Sequence, residues 1–228
     1  MRADEEQDPP GKREQNKARN RVVLLDAARA VFVDIGYDAA TVRDIVARTD
    51  LAPGTFYNYF PDKRSVLLAL AEEAARDASR RIREARAQAP TLEELAERGF
   101  RAYFEFIAGD RTMFELMRRN VSALRELGVD ETGFAEGVAD LRADLEARVR
   151  SGRMPPLPMH YLPQAIAAIA FEVGAAMVQQ SPPDVDGATH FAAQLCLGGV
   201  AQLAAGASSA PARTKPKKSV RREREDKP

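Results

Sequence analysis

Apolar residues recur at three- and four-residue intervals along most of this chain, and no stretch alternates as a half-buried strand would. From about Lys17 to Ile35, Leu24, Ala28, Val31, Phe32 and Ile35 fall on one side of a helix. Gly36 is its natural stop, because glycine accepts the left-handed C-terminal conformation. Thr41 with Asp44 three positions later reads as a capping box, Asp standing for the usual Glu or Gln. Ile45 and Val46 give that short helix its apolar side as far as about Thr49. Asp50 falls at a turn and is expected to tolerate a left-handed conformation there. Leu51 plugs the turn, Pro53 suits the first position of a third helix, and Phe56 and Phe60 share one face of it. Asp62 opens a long helix rich in Ala, Glu and Arg that reaches roughly Gln88, with Pro90 ending it.

The same spacing continues beyond. Thr91 with Glu94 caps a helix through Ile107 that carries Leu95, Phe100, Tyr103, Phe104 and Ile107. Asp110 starts another with Met113, Phe114, Leu116 and Met117, and Phe134, Val138, Leu141 and Leu145 mark one from about Glu131 to Arg150. Pro155, Pro156 and Pro158 form a loop before two helices rich in small residues, about Leu162 to Gln179 and Val185 to Ala205. The predicted fold is all-α: an N-terminal three-helix unit followed by a larger helical domain.

The stretch TVRDIVARTDLAPGTFYNYFPDK, residues 41–63, is the most specific in the chain. Its second helix has little charge and many hydrogen-bonding tips, which suits contact with the grooves of a polyanion, and the pair reads as a helix-turn-helix. The arrangement resembles the DNA-binding domain of the TetR family of bacterial transcriptional regulators over about residues 17–68, without a gap from Thr41 to Lys63. Two positions depart from the family pattern: Asp50 replaces a usual Gly, and Ala52 a frequent Ser or Thr cap. Tyr59 also stands where His is common.

The resemblance implies a DNA-contacting set of Thr41, Arg43, Pro53, Gly54, Thr55, Tyr57, Asn58, Tyr59 and Lys63. Arg43 and Thr55 match positions that reach base edges. Lys63, Tyr57, Tyr59 and the Thr41 hydroxyl are expected on phosphate, where contacts fix register without reading sequence.

Charge changes this picture little in total and more in distribution. The 228 residues carry 34 basic and 34 acidic side chains. Residues 12–64 nevertheless sum to +3, residues 65–206 to −5 and residues 207–228 to +5, so positive charge gathers where phosphate would need it. The organisation expected is a disordered arm at 1–16, a DNA-binding domain at 17–64, a ligand-binding and dimerisation domain at 65–206, and a disordered basic tail at 207–228. The single cysteine, Cys196, excludes an internal disulfide framework and fits a reducing cytosol. With no signal-peptide core and no membrane-length apolar run, a bacterial cytosolic, nucleoid-associated protein is expected.

Ile166, Ile169 and Val173, with Phe191, Leu195 and Gly199, form apolar stripes on the last two helices. Helices apolar over so much of their circumference are buried, either inside the domain or against another chain. In the family they pair across a two-fold axis, which implies a homodimer. Each of Phe100, Tyr103, Phe104, Ile107, Met113, Phe114, Met117, Phe134 and Met177 reads by itself as ordinary core rather than pocket, though the family implies a ligand pocket somewhere among them. A short likeness of FEFIAGDRTMFELMRRN to the family's fatty-acid-synthesis repressors suggests a lipophilic effector such as an acyl thioester.

Neither His160 nor His190 has metal-ligand spacing to a partner, and Cys196 has no adjacent base, so no catalytic residue, metal or cofactor is expected. The reading is a homodimeric, ligand-responsive repressor on a palindromic double-stranded DNA operator. The alternatives are a nonspecific DNA-binding or nucleoid-associated protein without ligand sensing, and an enzyme bearing a helical N-terminal domain.

Overall fold

The computed structural model describes residues 11–126 and 129–209. Its elements are α1 (Lys12–Ile35), α2 (Val42–Val46), a 3-10 segment (Pro53–Asn58), α3 (Lys63–Ala87), α4 (Leu92–Gly109), α5 (Arg111–Arg119), α6 (Val121–Glu126), α7 (Val129–Arg150), α8 (Leu162–Val178) and α9 (Val185–Ser209). Every element among the described residues is helical, as the spacing predicts.

Helix ends follow the polar residues beside them. Gly36, at φ 82°, stops α1 and donates its N–H to Phe32 O. Asp62 caps α3 by accepting from Ser65 N at 2.8 Å, and Thr91 caps α4 through Glu94 N at 3.1 Å. Asp110 begins α5 by accepting from Met113 N at 3.1 Å.

Three boundaries and one helix differ from expectation. Residues 12–16 are helical, so α1 starts a turn earlier than its apolar stripe does; that turn is polar, exposed at residues 13–16, and leaves no periodic mark. α2 ends at Val46 rather than Thr49, because the Thr49 hydroxyl donates to Val46 O at 2.9 Å and accepts from Leu51 N at 3.2 Å. Those bonds satisfy the end of the helix and turn the chain. α6 was not foreseen, and α9 runs past Ala205 to Ser209. Asp50 is not left-handed: among the described residues only Gly36 and Gly152 have positive φ. The expected N-terminal arm and basic tail lie outside the described residues, apart from the helical residues 12–16 and 207–209.

Three apolar clusters hold the molecule together. The first joins α1, α2, the 3-10 segment and the start of α3 through Leu24, Phe32, Ile45, Phe56 and Leu67, and it also takes in Met113, Leu116 and Leu124 from α5 and α6. The second lies between α4, α8 and α9 around Phe104, Ile107, Met177 and Ala192. The third joins α4 to α7 and the following loop through Leu95, Leu141, Leu145 and Met154. A Cβ at Gly174 would lie 2.5 Å from Ile107 Cδ1, so the crossing of α4 and α8 depends on the missing side chain. α3 packs along both α4 and α7 and spans from the N-terminal cluster to the far end of the larger domain.

Candidate nucleic-acid interface

The helix-turn-helix is assembled from reciprocal local bonds laid over an aromatic floor. Asp44 N donates to Thr41 Oγ1 at 3.2 Å, while Thr41 N and the Thr41 hydroxyl donate to Asp44 Oδ2 at 2.9 and 2.6 Å. These Thr41 bonds hold the Asp44 carboxyl below its ordinary range. The Thr41 proton is therefore already used inside the capping box. The following element is a 3-10 helix, tightened by Thr55 N to Ala52 O at 2.8 Å and Tyr59 N to Phe56 O at 2.9 Å. Ala52 offers no side-chain cap. Phe56 and Phe60 turn into the core at 0% and 4% exposure. Their spacing leaves Pro53, Gly54, Tyr57 and Asn58 outward, with Thr55 half-buried and Tyr59 packed against the N-terminal cluster. α2 packs on this segment, and its Arg43 is exposed. Arg48 pairs with Asp34 at 2.6 Å and ties the end of α2 to α1.

Lys63 differs from its expected role. Its Nζ donates to the carbonyls of Tyr37, Asp38 and Ala40 at 2.8, 2.9 and 2.8 Å. It also lies 4.7 Å from the centre of the Tyr37 ring. An ammonium has three protons, and all three are committed to the loop between α1 and α2. Lys63 thus closes the helix-turn-helix rather than projecting from it. Nothing local marks this, since its partners stand 23 to 26 residues earlier.

A cavity of about 510 Å³ runs through the larger domain. Phe100, Tyr103, Ile107, Met113, Phe114 and Met117 line it. Phe104 and Met177 do not: both are buried in the cluster between α4, α8 and α9. The side chain of Phe134 lies outside the described residues. Sequence reading missed the α3 wall, where Leu70, Ala74, Ala78, Ile82 and Arg86 recur every fourth residue. That stripe was legible as one face, and its alanines are what leave the space open. Burial pushes the Tyr103 phenol up and the Cys196 thiol up to about 11. Leu25, Leu70, Ala71, Met113 and Leu124 belong both to this lining and to the N-terminal cluster.

The residues expected at a dimer interface divide between two surroundings. On α9, Phe191, Leu195 and Leu203 are 58%, 50% and 46% exposed, and Gly199 is open beside them. On α8, Ile166 lines the cavity, while Ile169 and Val173 pack against the second cluster. The outer side of α8 is instead Ala165, Ala168, Glu172 and Ala176. Among the described residues no three His, Cys, Asp or Glu side chains gather as a metal site would require, and no helix is long and apolar enough to cross a membrane.

Residues 24–70 match the family described as bacterial regulatory proteins, tetR family. The N-terminal part of the chain is thus similar to the DNA-binding region of the TetR family. The chain is 37% identical over 86 residues to the HTH-type transcriptional repressor KstR of Mycobacterium tuberculosis, covering 37% of this chain and 38% of that protein. It is 28% identical over 109 residues to the fatty acid metabolism regulator protein of Bacillus subtilis, covering 46% of this chain and 56% of that protein. The chain thus spans between about a third and just over half of these relatives' own lengths. Among solved structures, the transcriptional regulator FadR from Bacillus subtilis in complex with stearoyl-CoA superposes with a TM-score of 0.66. That pair is 21% identical, and the alignment covers 78% of this chain and 98% of the other, so the likeness is one of fold.

Proposed function

We propose that this chain is a homodimeric, effector-responsive transcriptional repressor, acting in the bacterial cytosol on a palindromic DNA operator. The observation that carries the reading is the 3-10 segment, whose buried Phe56 and Phe60 leave Pro53, Gly54, Tyr57 and Asn58 at the surface next to exposed Arg43. An uncharged reading element flanked by an exposed guanidinium suits base edges better than phosphate alone, because Arg forks onto guanine in the major groove. Thr55 sits lower and supports the same element, and Tyr59 steadies it from below. Phosphate contacts fall to Tyr57, to the backbone N–H groups of the segment and to Thr41 once its hydroxyl turns from Asp44.

The effector is a long, chiefly apolar molecule in the cavity, and an acyl compound fits that description. The fold neighbour from Bacillus subtilis holds stearoyl-CoA. Because five residues are common to the cavity wall and the N-terminal cluster, an occupant bears directly on the packing that seats the recognition element. Nothing in the reading requires catalysis, a metal or a cofactor. Dimerisation uses the exposed Phe191, Leu195, Gly199 and Leu203 of α9.

Recovery and footprinting of genomic fragments bound by the purified protein tests this. The protected site should be an inverted repeat of roughly 15 to 30 base pairs, its half-sites about one helical turn apart. A scrambled duplex should bind on the order of 10³-fold more weakly or worse. Equal affinity for both would sink the reading and favour a nonspecific DNA-binding protein.

A further inference from the structure

The cavity is chiefly apolar, and its charged lining residues are Asp26, Arg29, Glu73, Asp77, Arg86 and Asp110. Toward α1 it is lined by Asp26, Glu73, Asp77 and Asp110, of which Glu73 pairs with Arg21, Asp77 with Arg80 and Arg81, and Asp110 with Arg29. At the other end it closes under Leu95, Leu141 and Leu145, and there the polar group is Arg86. From Leu70 to Arg86 the α3 wall is ~24 Å long at 1.5 Å per residue.

Arg86 is held unusually far from water for its charge. The residue is 8% exposed, and burying a guanidinium is costly unless its charge and its N–H groups are answered. Asp144 Oδ2 lies 3.0 Å from Nε. Its direction is wrong for a hydrogen bond, and Nε is left without an acceptor. Asp140, the neighbouring carboxylate on α7, is engaged by Arg83 at 2.9 Å. Nε thus has no acceptor among the described residues, and burial draws the pKa of the guanidinium down. Gly99 leaves room for its stem: a Cβ there would meet Arg86 Cδ at 3.2 Å. The chain thus provides a space for a buried cation, lets it line a cavity and leaves its Nε donor without an acceptor among the described residues.

We propose that Arg86 anchors the carboxylate of a long-chain acid whose chain runs back along α3 toward Arg29 and Asp110. This rests on the cavity being the effector site and names the effector's class: a free acid held head-inward. Two observations select that orientation. The guanidinium is planar and matches a carboxylate through paired N–H groups. At the other end Arg21, Arg29, Arg80 and Arg81 are each already paired with a carboxylate, which disfavours an anionic headgroup there, and with it the phosphates of a coenzyme thioester. Asp144 keeps Arg86 charged when the cavity is empty and competes with the incoming carboxylate when it fills.

Three probes of one chain length separate the possibilities: hexadecanoate, hexadecanol and hexadecanoyl-CoA, titrated calorimetrically into the full-length protein. The wild type should bind hexadecanoate tightest. Arg86→Met should weaken hexadecanoate ~10-fold or more, as loss of a charge-assisted pair requires, and leave hexadecanol unchanged. Asp144→Asn, at a more exposed position that does not depend on core packing, should tighten hexadecanoate and leave hexadecanol alone. This second variant keeps the proposal open to refutation if Arg86→Met fails to fold. Equal hexadecanoate affinity in wild type and Asp144→Asn, or undiminished affinity in folded Arg86→Met, overturns the anchor while hexadecanol binding keeps the cavity as the effector site. Preference for hexadecanoyl-CoA overturns the head-inward orientation. If none of the three binds, the effector-site reading falls as well.

Discussion

A lysine at the surface of a DNA-binding domain usually offers its ammonium to phosphate, but the Lys63 ammonium already has three carbonyl acceptors within 2.9 Å. Lys63→Met should therefore lower the stability of the helix-turn-helix by about 1–3 kcal/mol, the range for charged hydrogen bonds, read as a shift in denaturant midpoint. Operator and random DNA should weaken together because less protein is folded, with an unchanged salt slope. A slope reduced by about one per subunit in fully folded protein would restore the phosphate role. Arg43 is the contrasting case. It is exposed, and Arg43→Ala should cost ~1–3 kcal/mol per half-site on the operator while changing random-sequence affinity by little more than one lost charge. Equal losses on both duplexes would make Arg43 a phosphate contact. Cys196 lines the cavity with its thiol pushed up to about 11 by burial. The raised value means that thiolate is scarce at neutral pH and grows as pH rises toward it. Alkylation by iodoacetamide should be slow at pH 8, faster at higher pH, and slower again with hexadecanoate bound. An effect of pH without an effect of hexadecanoate would place the chain away from Cys196.

Among the elements, α2 shows how much one short helix owes to its cap. Five residues are too few for a stable helix in isolation, and Thr41 with Asp44 supplies the missing order. The Asp44 carboxyl is depressed below 3.8 chiefly by the Thr41 hydroxyl bond. A depressed carboxylate stabilises the folded state above its ordinary pKa, and the contribution is lost as pH falls below 3.8 through the folded value. Thr41→Ala should thus destabilise the domain at neutral pH by ~1 kcal/mol, and its deficit against wild type should shrink below pH 4. A deficit independent of pH would mean that Asp44 takes no part. The cap was legible in sequence because its partners are three residues apart, and so were the helices with broad apolar stripes. The 3-10 form of the recognition segment was not. It depends on Phe56 and Phe60 seating against a core that the local pattern does not contain. The same holds for Phe104 and Met177, which share helical faces with lining residues yet turn into packing between helices. For α8, periodicity found a stripe but gave no sign of whether its partner was the protomer's own α4 or another chain.

At the scale of the whole molecule, that ambiguity decides which substitution probes assembly. Leu195 is half exposed on α9, and Leu195→Arg should convert a species near twice 25.0 kDa into a monomer with unchanged helix content in sedimentation and circular dichroism. Val173→Arg should instead damage the protomer, because Val173 packs against the core between α4, α8 and α9. A wild type that sediments as a monomer with operator present would refute the dimer. Five side chains that line the cavity also serve the N-terminal cluster, and α3 passes without a break across residue 64, where the sequence suggested a domain boundary. Heat should find no seam there. The described body should melt in one calorimetric transition, with van't Hoff and calorimetric enthalpies in agreement. An occupant of the cavity should move that whole transition upward, the amides of α2 gaining as much protection from exchange as those of α4.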